Sequence, residues 1–270
     1  MSIHPTAIVD SSAEIDATVE IGAYAIVEGQ TRVGAGTVIH PHGYVARGTT
    51  LGRECQVHPY AVVGHVPQDV KFDGAPSYAE IGDGCIIREG ASVHRGSEPD
   101  SKTVVGKRVF IMAGAHVGHN CVVGDDVVLT NAVLLGGHVS VGERAFLGGG
   151  SGVHQFVRVG ELAMIHGLAV CVMELPPFMM AVSDGIAGLN TVGLRRAGMS
   201  REQRAELGRC FRMLYRSSMG FREAIEQVAA RVETAPGRRL AEFLQARSLR
   251  GFMKARRRGR RATADGCDDS

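Results

Sequence analysis

Val105-Gly106-Lys107-Arg108-Val109-Phe110-Ile111-Met112-Ala113-Gly114-Ala115-His116-Val117-Gly118-His119-Asn120-Cys121-Val122-Val123 carries an aliphatic residue at every sixth position: Val105, Ile111, Val117 and Val123. Extended in both directions, the same frame runs from Ile3 to Cys171 through 29 slots, and only Asp69, Ala75 and Pro99 break it. The residue two before a slot is usually small (Ala25, Ala61, Ala91, Ala115), and the residue after it is often glycine (Gly22, Gly52, Gly106, Gly142). A hexapeptide repeat of this kind reads as a parallel β-helix.

The physical reason lies in how a short strand buries one side chain and turns. Six residues make one flat face of a prism with the aliphatic side chain on the axis. The small residue and the glycine are expected to let the chain bend at the corner. Three faces close one coil, so residues 18 apart stack, at roughly the 4.8 Å inter-strand spacing, with backbone hydrogen bonds along the axis.

Composition points to a soluble, cytoplasmic protein. A chain of 270 residues holds one or two domains. No run approaches the roughly 18 apolar residues of a membrane span, and the N-terminus has no basic-then-apolar leader. Cys55, Cys85, Cys121 and Cys171 fall on inward slots or the small positions beside them, without a CxxC pair, and read as buried thiols.

The frame stops after Cys171. Leu175-Pro176-Pro177-Phe178 cannot continue it, because two prolines remove ladder donors. Ser200-Arg201-Glu202-Gln203 has the form of a capping box and predicts a helix to about Ser218. A second helix is expected from Phe221 to about Glu233, ended by Pro236, and a third from about Arg238 to Ser248. The domains expected are a β-helix over 1–183, a small helical domain over 184–253 and a disordered tail over 254–270. Residues 1–194 carry a net charge of −8 and residues 195–261 one of +13. A basic helical domain attracts an acidic partner: nucleic acid, a phosphorylated ligand, a membrane surface or an acidic protein.

Two departures from the frame mark a binding side. Gly64 to Phe72 places Asp69 at a would-be inward slot, and His94-Arg95-Gly96-Ser97 opens a second polar stretch; both must leave the prism as loops. Six of the 11 histidines (His94, His116, His119, His138, His154, His166) fall in the second half of the frame. By the 18-residue rule His119 stacks on Gly137, with His138 beside it. A neutral imidazole next to a backbone N–H is the pairing a general base and an oxyanion donor need.

Together Pro67-Gln68-Asp69-Val70-Lys71-Phe72, His94-Arg95-Gly96-Ser97, Ala115-His116-Val117-Gly118-His119, Gly136-Gly137-His138-Val139-Ser140-Val141, Val153-His154-Gln155-Phe156, Leu175-Pro176-Pro177-Phe178 and Leu214-Tyr215-Arg216-Ser217 resemble the UDP-N-acetylglucosamine O-acyltransferase family. The resemblance runs from about residue 3 to residue 251 and implies a left-handed β-helix, a handedness the repeat itself does not show. It also implies transfer of an R-3-hydroxyacyl chain from acyl carrier protein to the glucosamine 3-hydroxyl of UDP-N-acetylglucosamine, in lipid A biosynthesis.

By that resemblance His119 is the general base and Gly137 the oxyanion donor. Asp69, Lys71, His94, His116, His138, His154 and Gln155 contact sugar, phosphates or pantetheine, and Asn190 and Arg196 contact the nucleotide. Gly167, with His166 beside it, stands at the acyl-chain ruler. The resemblance further implies a homotrimer, an acyl carrier protein partner for the basic domain, and no cofactor, metal, nucleic acid or membrane span. Asn120, Val192 and Ala197 stand where the family commonly has Asp, Glu and Arg. Three other readings remain open: acyl transfer to a different nucleotide-linked amino sugar, a β-helix carbonic anhydrase using His94, His116 and His119, and a non-catalytic paralogue that binds carrier protein.

Overall fold

A computed structural model describes residues 2–256. The hexapeptide strands sort by threes into three parallel sheets. The first holds Glu20–Ile21, Val38–Ile39 and their successors, the second Ile26–Val27 and Tyr44–Val45, and the third Arg32–Val33 and Thr49–Leu51. Register follows the coil rule, Ile21 pairing with Ile39 and Val117 with Leu135. Where a loop leaves the prism the register lengthens, so that Val63 pairs with Val93 and Val93 with Val117. The broken slots Asp69, Ala75 and Pro99 all lie in those loops. The result is a left-handed parallel β-helix capped by a small helical part.

The slots form the core. Ile39, Val57, Ile87, Ile111, Leu129 and Ile165 are fully buried, each worth about 1.5–3 kcal/mol of apolar transfer. Ile3, in the first coil with none beneath it, is 38% exposed. Cys55, Cys85, Cys121 and Cys171 are buried free thiols, as their positions in the frame imply.

The corners are built differently from the expectation. Glycine after a slot does not supply the bend: a Cβ on Gly22 would stand 2.6 Å from the Pro41 nitrogen, and one on Gly34 2.7 Å from Gly52 backbone. Those glycines are required because the next coil lies against them. The left-handed residue comes two positions later and is more often another residue than glycine: Tyr24, His42, Asn120, His138 and Phe156 have φ between 58° and 65°. Each such corner is strained by about 1–2 kcal/mol and is held by the ladder on either side.

After Cys171 the chain adds Met179–Val182 in parallel to Met164–Ile165 and turns back through Gly185–Leu189, an antiparallel hairpin closing the first sheet. The expected boundary at 183/184 falls in its turn. Helix α1 (Thr191–Arg196) was not foreseen; α2 (Arg201–Arg216) opens on Ser200 with both halves of the capping box; α3 (Phe221–Arg231) and α4 (Ala235–Gln245) follow. Pro236 does not end a helix but starts α4, where its missing N–H costs nothing.

Glu206, 3% exposed on α2, accepts from the amides of Glu233 and Thr234 and from the Thr234 hydroxyl, tying three helices together. The expected tail begins too early. Lys254 accepts from the Ile186 amide and Arg256 donates to the Ile186 carbonyl, so the chain runs along the hairpin to that point. The rest of that tail, 257–270, lies outside the described residues. No helix among them is long and apolar enough to cross a membrane.

Candidate active site

The two loops and four successive coils gather the histidines on the second sheet and its corner with the third. His94 ends the strand Ser92–His94 and is 6% exposed; its ring meets His116 edge-on at 5.0 Å. Ser92 Oγ lies 2.9 Å from His116 Nδ1. His119 occupies the turn after Val117, one coil from Gly137, and meets His138 edge-on at 5.1 Å. His138 stacks on Phe156 at 4.6 Å, and the His138 amide donates to the His119 carbonyl at 2.9 Å.

The tautomer of His119 follows from its neighbours. Asn120 Oδ1 accepts from the Ser97 amide at 2.9 Å and from the Ser97 hydroxyl at 3.1 Å, and an amide N–H can only donate, so this atom is the oxygen. His119 Nδ1, 2.9 Å from the same oxygen, therefore carries the proton and leaves Nε2 with its lone pair free. A Cβ on Gly137 would stand 2.5 Å from that Nε2, so only glycine lets the backbone come this close. The Gly137 amide has no acceptor among the described residues.

Asp69 Oδ2 reaches within 3.9 Å of His119 Nε2 from the first loop, where the Lys71 amide donates to Asp69 Oδ1. Lys71 is exposed at the loop's edge. Burial, then the neighbouring His116, His65 and His119, pushes His94 down to about 4. Burial and His119 lower His116 too, while burial lowers His138 against an opposing pull from Glu98. His94, His116 and His138 thus present neutral imidazoles at neutral pH. His154 and Gln155 are exposed on the same cavity of about 750 Å³, whose far end is apolar with Leu134, Gly152 and Val170.

Asn190 and Arg196 are not part of this cluster. Asn190 caps α1, accepting from the Gly193 amide and donating to the Leu162 carbonyl. With Arg196, Phe146, Met164, Val192 and His166 it lines a second cavity, of about 840 Å³, on the first sheet. Gly167 sits at the corner between the first and second sheets, where a Cβ would meet the Gly149 carbonyl at 3.3 Å.

Sequence reasoning missed Glu98, 3.5 Å from His138 Nε2, and His65, whose ring centroid is 6.5 Å from His94. Both flank motifs it had quoted. It also missed Arg250, which donates to the Gln155 carbonyl and brings the basic domain to the site's rim. No group of three or more His, Cys, Asp or Glu among the described residues is placed to hold a metal.

Prism, histidine pair and protruding loops define a hexapeptide-repeat acyltransferase. Residues 102–137 match the bacterial transferase hexapeptide family, and residues 175–253 match the second domain of UDP-N-acetylglucosamine O-acyltransferase. Among curated relatives, an acyl-(acyl-carrier-protein)–UDP-N-acetylglucosamine O-acyltransferase of Herminiimonas arsenicoxydans is 43% identical over 260 residues, covering 95% of this chain and 98% of its own. One of Burkholderia orbicola is 44% identical, covering 93% and 99%. The crystal structure of UDP-N-acetylglucosamine O-acyltransferase from Moraxella catarrhalis superposes with a TM-score of 0.90 at 37% identity, covering 94% of this chain and all of that one. This chain belongs to the UDP-N-acetylglucosamine O-acyltransferase family, and it is an acyltransferase.

Proposed function

We propose that the protein transfers an R-3-hydroxyacyl chain from acyl carrier protein to the glucosamine 3-hydroxyl of UDP-N-acetylglucosamine, in the cytoplasmic synthesis of lipid A. The observation that carries this reading is His119 Nε2 set against the Gly137 backbone while Nδ1 is held by Asn120.

His119 Nε2 takes the proton of the 3-hydroxyl as its oxygen attacks the thioester carbonyl. The tetrahedral oxyanion accepts from the Gly137 amide, worth about 3 kcal/mol for one preorganised donor. Collapse expels the pantetheine thiolate, which takes the proton back from the imidazolium. Asn120 orients the ring but bears no charge, so Asp69, 3.9 Å away, supplies the electrostatic support for the imidazolium. Lys71 with Asn190 and Arg196 would hold the nucleotide; His94, His116, His138, His154 and Gln155 would line the sugar and pantetheine paths; Gly167 and His166 would limit the acyl chain. Since Asn190 and Arg196 line a different sheet from His119, they would come from a neighbouring copy in a homotrimer.

The basic helical part would meet the acidic carrier protein, with Arg250 already bonded to Gln155. An assay with 3-hydroxyacyl carrier protein and UDP-N-acetylglucosamine tests the whole: His119→Ala should lose about 10²–10⁴-fold in turnover. Equal turnover by both proteins removes His119 from the mechanism. Absence of turnover with any nucleotide sugar favours the non-catalytic paralogue.

A further inference from the structure

Two loops enter the histidine cluster, and each brings a carboxylate to one imidazole. Asp69 of the first loop reaches His119 Nε2 at 3.9 Å, and Glu98 of the second reaches His138 Nε2 at 3.5 Å. Asn120, beside His119, is fastened to the second loop and bears no charge. The negative charges that face this imidazole pair therefore come from the loops and not from the coils.

Glu98 is not a loose surface acid. Its amide donates to Ser101 Oγ at 3.0 Å, and its carbonyl accepts from the Ser101 hydroxyl at 2.7 Å and from the Ser101 amide at 3.1 Å. One residue earlier, Ser97 donates to Asn120 Oδ1 through both its amide and its hydroxyl, and the Gly96 amide donates to the Tyr78 carbonyl at 3.1 Å. A Cβ on Gly96 would stand 2.6 Å from the Ser101 carbonyl oxygen, so glycine there lets the loop fold this tightly. A backbone pinned on both sides leaves only the side chain to rotate. Burial would raise the Glu98 carboxyl, but His138, Ser97 and Ser101 draw it below the usual range, so it is charged at neutral pH.

His138 is equally fixed, stacked on Phe156 on one side and edge-on to His119 on the other. The charged and titratable groups that face it are Glu98, His119 and Asp69, with Arg250 5.7 Å from the Phe156 ring beyond. A carboxylate can only accept, so Glu98 selects the tautomer of His138 that carries its proton on Nε2.

We propose that Glu98 is a positioning residue of the transfer: set by Ser97 and Ser101, it fixes the His138 ring and, through that ring, supports His119 as it takes the proton. This rests on the reading of His119 as the general base. Asn120 then serves twice, since it orients the His119 ring and seats the loop that carries Glu98. The charge that its amide lacks is supplied by Glu98 and Asp69, one from each loop.

Glu98→Gln keeps the backbone bonds of the loop and removes the charge. Losing a negative charge lowers the pKa of the imidazoles it faces. The acidic limb of kcat/KM should therefore move down by about half a pH unit, and kcat should fall about tenfold with KM for the nucleotide sugar little changed. Glu98→Asp should recover part of the loss. An exposed ion pair adds little to stability, so the denaturation midpoint should stay in place. Asp100→Asn removes the same charge two residues along the loop and should leave both limb and kcat where they are.

Nuclear magnetic resonance titration of the imidazole ring protons reads the coupling without turnover: His138, and to a smaller extent His119, should titrate lower in Glu98→Gln. Unmoved titrations, a Glu98→Gln kcat within about twofold of an active wild type, or an equal effect of Asp100→Asn overturns the proposal. A wild type that turns over no nucleotide sugar counts against the transfer itself, and the titrations then still decide whether Glu98 acts on His119 through His138.

Discussion

Gly137 lies so close beneath His119 that a Cβ there would stand 2.5 Å from Nε2 and 2.6 Å from Cε1. Substitution must move the imidazole or the turn that carries the proposed oxyanion donor. Gly137→Ala is expected to lower kcat by about 10²-fold or more while the coil remains folded. Steady-state kinetics with circular dichroism checks this; a kcat within tenfold of wild type shows that the close approach is not needed.

Asn120 holds the His119 ring without charge. Asn120→Asp keeps an acceptor for Nδ1–H and adds a negative charge, which stabilises the imidazolium and raises the pKa of His119. The acidic limb of the kcat/KM profile should therefore move to higher pH, with kcat equal or higher at pH 8. A limb that stays in place shows that His119 does not set it.

His94 titrates at about 4 in the folded chain, chiefly because it is buried, against 6.5 for a free imidazole. Between those values the unfolded chain binds a proton that the folded one refuses. Stability is unaffected above pH 6.5 and falls by up to about 3 kcal/mol as pH drops to 4. Denaturant midpoints at pH 7 and pH 4.5 should differ more in wild type than in His94→Gln, by a part of that amount.

Glu206 is held below the usual carboxylate range: burial alone would raise it, but the Thr234 hydroxyl and the amides of Glu233 and Thr234 bond the charged form. Glu206→Ala leaves those part-buried donors unpaired, at a cost of about 1–3 kcal/mol. Chemical denaturation should show the loss as an earlier transition of the helical part, and an unchanged midpoint would assign the helix junction to packing alone.

Much of the prism was legible because its rule is local. An aliphatic residue every six positions directly names the buried side chains, and the interruptions at Asp69 and Pro99 directly name the loops. The stacking of His119 on Gly137 followed from counting alone. Glycine after the slot misled, since composition does not separate a residue needed for its φ from one needed for its missing Cβ. Pro236 misled for a related reason: proline both ends and begins helices, and only the Thr234 cap shows which. Helix α1 is six residues long, too short for its periodicity to register.

The sequence by itself determined the repeat, the buried slots, the coil register and the stacking of His119 on Gly137. Each is encoded in residues near one another along the chain or at a constant separation. Only the tertiary structure decided that Asn120 presents its oxygen to His119, that Asp69 returns to that imidazole, and that Asn190 and Arg196 lie on another sheet. Those relations depend on where loops and a cap land after the helix has wound, and such landings are set by packing across many coils and not by any period.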